Sequence, residues 1–202
     1  MRWARLLRQS GHLVRISTDY EGEATDVMIA LHARHSGAAV RRYREQMTQG
    51  PLVVGLGGTD VNTFLQTERA LTLGSMDMAD ALICLHDLIG PELPAPLRPK
   101  LHVVRQSAQP LTQPRQPSKR HFDICVIGHL RAEKDPFRTA LAARLLPPTS
   151  RLRVHHLGGA HSMDFADQAQ AEMARNPRYS WRGAVSGGQV RREFGKTHAM
   201  VI

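Results

Sequence analysis

Two glycine-bearing turns in the second half of the chain carry residue types that hold phosphates. In "VIGHLRAEKDPF" a strand-like run ends at Gly128, and His129, Arg131 and Lys134 follow before Pro136. Glycine lets the backbone turn sharply, amides at the start of a following helix attract an anion, and a lysine adds a point charge. The spacing predicts a strand, a polar turn and a helix opening on Pro136. Lys134 is then in reach of a diphosphate, with Arg131 and His129 as further donors. The plain alternative is a solvated turn. "HLGGA" ends a second strand-like run at Gly158 and Gly159. In a parallel sheet both turns open on the same edge, which favours one shared site.

The first half has a turn of the same kind in "GLGGTDVNT". Gly57 and Gly58 permit close approach by a ligand, and Thr59 and Asp60 offer a hydroxyl and a carboxylate. An N-cap or turn role for Thr and Asp is the alternative. "ALHARHS" adds His32, Arg34 and His35 at another strand end, where a histidine serves as base, phosphate ligand or simple surface residue. The eleven histidines show no metal-ligand spacing. Adjacent His155 and His156 point to opposite faces of a strand and cannot chelate one ion, so no metal centre is expected. No Ser-His-Asp set, phosphate-binding P-loop or dinucleotide fingerprint is legible.

These turns need elements to hold them, and strands and helices alternate along the chain. A helix over 2–10 is capped by Gly11, and "HLVRIS" reads as a strand. A strand over 26–32 precedes a helix over 36–47 with Ser36 as N-cap; a strand leads into the Gly57 turn. A helix over 67–79 is interrupted by Gly74, and strands follow at 80–86 and 100–108. A proline- and glutamine-rich stretch over 106–121 reads as a solvated linker. The alternation then restarts with strand, helix and strand (122–128, 136–146, 151–159), followed by a helix (163–176), a short strand (179–185), a helical stretch and the beginning of a strand at "HAMVI". Such alternation means parallel βαβ units. The expected fold is α/β with two Rossmann-like lobes: 1–105, a linker over 106–121, and 122–202. The chain starts inside a helix and stops as a strand begins, so both lobes are expected to be incomplete and the chain a fragment.

With 202 residues, 42% hydrophobic and 22% charged, the composition suits a globular protein. The net charge of +9 suits anionic partners. The basic residues are spread without a dense block interleaved with aromatics, which points away from nucleic acid and leaves phosphorylated substrates, or simply an arginine-rich proteome, as the source. No apolar run reaches membrane-spanning length, and the N-terminus lacks the apolar segment of a secretory signal. Cys84 and Cys125 lie in separate apolar runs, as buried free thiols of a reducing cytoplasm do.

The "GGTD" turn, the linker, "VIGHLRAEKDPFRTALAARLL" and "HHLGGA" together resemble the GT-B glycosyltransferases of the family 4 type. In that family a Gly-Arg-Leu strand end followed by Lys holds the diphosphate of a nucleotide-sugar. Gly128, Leu130 and Lys134 match, and His129 stands in the place of the Arg. The chain is most similar to the branch of selenosugar synthases of selenoneine biosynthesis, through "RWARLLRQSGHLVRI", "LHARHS", "GTD", "RQSAQP", "GHLRAEKDPFRTALAARLLPP" and "EMARNPRYSWRG". The resemblance implies a UDP-hexose as co-substrate and no further cofactor. Its donor diphosphate would lie at Gly128, His129, Arg131, Lys134, Gly158 and Gly159. Selenophosphate would be held on the acceptor side by His32, Arg34, Gly57, Gly58, Thr59 and Asp60, with Asp60 pairing an arginine and orienting the site. The family's acidic donor-gripping motif would lie beyond Ile202, so the chain is expected to be inactive alone. An ordinary hydroxyl acceptor, or nucleotide binding without catalysis, is the alternative.

Overall fold

Short strands, most of them rich in Val, Ile, Leu and Ala, build two parallel sheets. The computed structural model describes residues 2–201 and divides into two compact units, Met1–Ala108 and Gln109–Ile202. In the first, β1 (Met28–Leu31), β2 (Leu52–Gly55), β3 (Ala81–Cys84) and β4 (Leu101–Val103) pair in parallel in that order. Helices α1 (Arg2–Gln9), α2 (Gly37–Gln46), α3 (Leu65–Thr67) and α4 (Arg69–Met78) belong to this unit, with a π-type turn over Asp60–Phe64 leading into α3. Strands covered on both faces must be apolar throughout. Val40, Tyr43, Leu52, Val54, Met76 and Leu82 are accordingly fully buried in one core.

The second unit orders β5 (Phe122–Ile127), β6 (Leu152–Leu157), β7 (Tyr179–Trp181) and β8 (Ala199–Val201) as β7-β6-β5-β8, all parallel. The chain moves outward from β5 to β7 and returns to β5's other side as β8. Ligands of open α/β sheets bind beyond the carboxyl ends of strands at such a reversal. Helices α5 (Arg138–Arg144), α6 (Met163–Arg175) and α7 (Gly187–Phe194) join the strands. Ser186 and Gln189 form a capping box at the start of α7, satisfying two otherwise orphaned amides. Cys84 and Cys125 are free and buried. No described helix is long and apolar enough to cross a membrane.

Four local expectations are corrected. Residues 12–17 form no strand, because Leu13 and Ile16 are exposed and no neighbouring strand pairs with them. Ser36 stands at the N-cap of α2 but makes no side-chain capping bond; its hydroxyl donates to the Leu31 carbonyl at 2.6 Å instead. Helix α4 runs through Gly74 unbroken, carried by the packing of the buried Thr72, Ser75 and Met76 around it. Finally, α5 begins at Arg138 and not at Pro136, since Asp135 adopts a left-handed conformation (φ 42°) that breaks the helical path.

Candidate functional site

The carboxyl ends of β5 and β6 are knitted together in the second unit. Gly128 N–H donates to the Leu157 carbonyl at 3.0 Å, and Leu130 N–H to the Gly159 carbonyl at 2.9 Å. His161 N–H returns to the Leu130 carbonyl at 3.1 Å, closing a bridge between Leu130 and Ala160. Gly158 is indispensable here: its φ is +156°, and an added Cβ would lie 1.8 Å from the Gly128 oxygen. Gly159 N–H donates to His129 Nδ1 at 3.1 Å. This fixes the neutral tautomer, with Nδ1 accepting and Nε2–H left as a donor. The His161 ring lies 5.4 Å from that of His129.

Two buried groups anchor this junction from below. His156 Nε2–H donates to the Gly128 carbonyl at 3.1 Å, and its Nδ1 accepts from the Tyr179 hydroxyl at 3.0 Å. Burial pushes the His156 imidazole below the ordinary histidine pKa, although the Gly128 hydrogen bond works the other way. Burial also raises Tyr179, which favours the protonated hydroxyl that this bond requires. Trp181 Nε1–H donates to the Gly158 carbonyl at 2.8 Å.

Arg131 and Lys134 lie farther along, at the start and end of a short turn. The Arg131 guanidinium is 3.9 Å from the Glu133 carboxylate, and Lys134 is exposed, with no ion pair among the described residues. The expected helix start beside Lys134 is absent; the Asp135 carboxylate bonds the Arg138 guanidinium at 2.6 Å there.

In the first unit the feature that organises the strand ends is Asp60, which is fully buried. Its Oδ2 accepts from Ala33 N–H at 3.0 Å and Gly57 N–H at 2.8 Å, and its Oδ1 from Arg34 N–H at 3.0 Å. One carboxylate thus clamps the ends of β1 and β2 together. The expected pairing of Asp60 with an arginine side chain is corrected, because the Arg34 guanidinium pairs with Glu68. His32, in the left-handed region at φ 69°, is held in that costly conformation by hydrogen bonds on the two residues that follow. Its Nδ1 is 3.3 Å from Asp60 Oδ2 but not aligned as a hydrogen bond. The imidazole covers Gly57, where an added Cβ would lie 1.9 Å from His32 Cε1. Gly58 is exposed and open, and Thr59 continues the helical start without making a side-chain cap. His35 packs edge-on between His32 and Phe64, with ring centres 5.3 and 5.1 Å away.

The structure therefore joins His32, Gly57, Asp60 and the Arg34 backbone in one cluster, and Gly128, His129, Gly158 and Gly159 in another. Sequence reading missed Ala33, Glu68, His156, His161, Tyr179 and Trp181. Only His156 gave a signal, as a histidine inside an apolar strand. No cluster of three or more potential metal ligands occurs among the described residues.

No protein-family model matches the chain, and neither does any curated protein. Solved structures do match. S. aureus TarM, solved with fondaparinux, α-GlcNAc-glycerol and UDP, aligns over 86% of this chain and 36% of its own, with TM-score 0.62 and 9% identity. HepE of Anabaena in complex with UDP-glucose aligns over 87% and 52%, with TM-score 0.60 and 11% identity. The lipopolysaccharide outer core galactosyltransferase WaaB aligns over 98% and 52%, with TM-score 0.54 and 14% identity. At such identities the likeness establishes the fold alone: two Rossmann-like parallel α/β units of the GT-B type. The chain spans between about a third and about half of these proteins.

Proposed function

We propose that the chain belongs to a glycosyltransferase that takes a nucleotide-diphosphate sugar of the UDP-hexose type and passes the sugar to selenophosphate. The observation that carries the donor half is the interlocked pair of turns at Gly128–Leu130 and Gly158–Ala160, beside the strand-order reversal. His129 Nε2–H, Arg131 and Lys134 are the donors proposed for the diphosphate. Negative charge grows on that group as the anomeric C–O bond breaks, and preorganised donors favour its departure. Selenium of selenophosphate forms the new C–Se bond, and the nucleoside diphosphate leaves with the electron pair. Selenophosphate is already a strong nucleophile, so the acceptor-side residues position an anion and need not remove a proton. Side chains of the two turns neutralise the leaving group in this reading. The selenium acceptor rests on the sequence resemblance alone.

The test has two parts. Calorimetry with UDP and UDP-hexose should show binding that Lys134→Ala weakens about tenfold or more, the consequence of losing a charge-assisted contact. Incubation of a longer homologue with UDP-hexose and selenophosphate should give a selenium-containing sugar by mass spectrometry. An exclusively oxygen-linked product would overturn the acceptor. Binding unchanged by Lys134→Ala would return that turn to an ordinary solvated one.

A further inference from the structure

At the opposite edge of the second unit's sheet, the amino ends of β5 and β6 border a groove of about 750 Å³. Arg115, Lys119, Arg120, His121, Arg151 and His198 line it, and no carboxylate does among the described residues. None of the four Arg and Lys side chains takes part in an ion pair among the described residues. Bringing four cations together without a counter-charge is unfavourable, and a bound anion reverses the sign of that energy. The groove is also built and not merely crowded. Arg115 donates to the carbonyls of Thr197 and His198, which holds its guanidinium in place. Asp123 N–H donates to His198 Nδ1 at 3.0 Å, leaving His198 Nε2–H as a donor. The Phe122 ring, 48% exposed, stacks on His198 with centres 4.6 Å apart. The Ser118 hydroxyl accepts from the amides of Arg120 and His121 at 3.1 and 3.2 Å, shaping the turn that presents both.

We infer that this groove is a second anion site, for the diphosphate or triphosphate group of a free small molecule. It lies at the other end of the six-residue β5 from Gly128, roughly 20 Å away at a strand's rise per residue. It is therefore separate from the proposed donor turns. A single phosphate engages one or two of the cations, whereas a chain of linked phosphates spans several, which sets the expected selectivity.

The probe is pyrophosphate, titrated into the isotope-labelled chain and followed by backbone amide NMR. Signals of residues 115–122, 151 and 198 should move, and pyrophosphate should bind more tightly than inorganic phosphate. The double variant Arg120→Gln, Arg151→Gln should weaken pyrophosphate at this groove about tenfold, as loss of two exposed charge contacts predicts. Both side chains are exposed and unbonded, so the variant keeps its fold, which its unperturbed remaining spectrum verifies. Lys134→Ala should leave these shifts unchanged, whatever becomes of UDP binding. Shifts confined to 128–134, equal affinity in the double variant, equal affinity for inorganic phosphate, or displacement by a short oligonucleotide at equal phosphate concentration would each overturn the inference.

Discussion

Replacing Asp60 with asparagine keeps the shape of the side chain and removes one acceptor and the charge. In the parent, two oxygens accept three backbone N–H groups inside a fully buried site. The better amide orientation keeps the oxygen toward Ala33 and Gly57 and turns the NH2 group toward Arg34 N–H, where two donors then face each other. One buried amide loses its acceptor, and the two remaining bonds lose their charge assistance. Hydrogen bonds to charged groups contribute about 1.5–3 kcal/mol each, and an unsatisfied buried donor costs about 1–3 kcal/mol. The expected destabilisation of the first unit is thus about 2–4 kcal/mol. With a urea dependence of about 2 kcal/mol per molar, the midpoint falls by about 1–2 M. Each unit carries one tryptophan, Trp3 and Trp181, so fluorescence in a Trp181→Phe background reports the first unit alone. A midpoint within about 0.3 M of the parent would refute the claim that this carboxylate holds the ends of β1 and β2 together.

Gly57→Ala should destabilise the first unit by about 1–3 kcal/mol, because the new methyl group collides with the His32 imidazole. In a His32→Ala background the same change should cost little; a full penalty there, measured by the same unfolding curves, would locate the clash elsewhere. The second unit should lose stability as pH falls below about 6.5, the ordinary histidine value. Burial depresses His156 in the folded state, so the unfolded chain binds the proton first; stability is fully present above that pH and declines down to the folded pKa. His156→Gln, followed through Trp181 fluorescence in a Trp3→Phe background, should flatten that slope, and an unchanged slope would assign it to another group.

The α/β class was legible because strands buried on both faces read as short apolar runs, as "LVVG" and "ICVI" do. Pairing order was not, since nothing in "HAMVI" says that β8 returns to the free side of β5. The apolar residues of "HLVRIS" predicted a strand, yet a strand needs a neighbour, and local pattern cannot supply one. Gly57 and Gly158 stood out as glycines, but the reasons differ and only the fold separates them. Gly57 lies under an imidazole, and Gly158 lies against a backbone carbonyl at positive φ. Asp60 was visible as a carboxylate in a turn, whereas two of its three donors, Ala33 and Arg34, come from 27 and 26 residues earlier and the third, Gly57, from 3 residues earlier. Asp60 is met by backbone amides and not by an arginine, while Arg34 pairs with Glu68, a competition that spacing along the chain does not record.

A buried carboxylate beside a site proposed for an anion raises an apparent conflict, which the hydrogen bonds resolve. The Asp60 charge is met by three N–H dipoles at close range, so its repulsion of a further anion is reduced. The same bonds have a consequence: the amides of Ala33, Arg34 and Gly57 are occupied and cannot bind an acceptor. Paired with Glu68, the Arg34 guanidinium is partly neutralised as well. What remains is Gly58 and Thr59, at the first turn of a helix, where N–H groups have no intrahelical acceptor. Space is present there, since an added Cβ at Gly58 meets only Asn62 Nδ2, at 3.9 Å. The second unit follows the same logic, with the carbonyls of Gly128 and Gly158 taken by His156 and Trp181, and His129 Nδ1 taken by Gly159. In each unit the groups that lock the strand ends are satisfied inwardly, so recognition in the proposed reaction falls to a few outward donors: the Gly58 and Thr59 amides in one, His129 Nε2–H with Arg131 and Lys134 in the other.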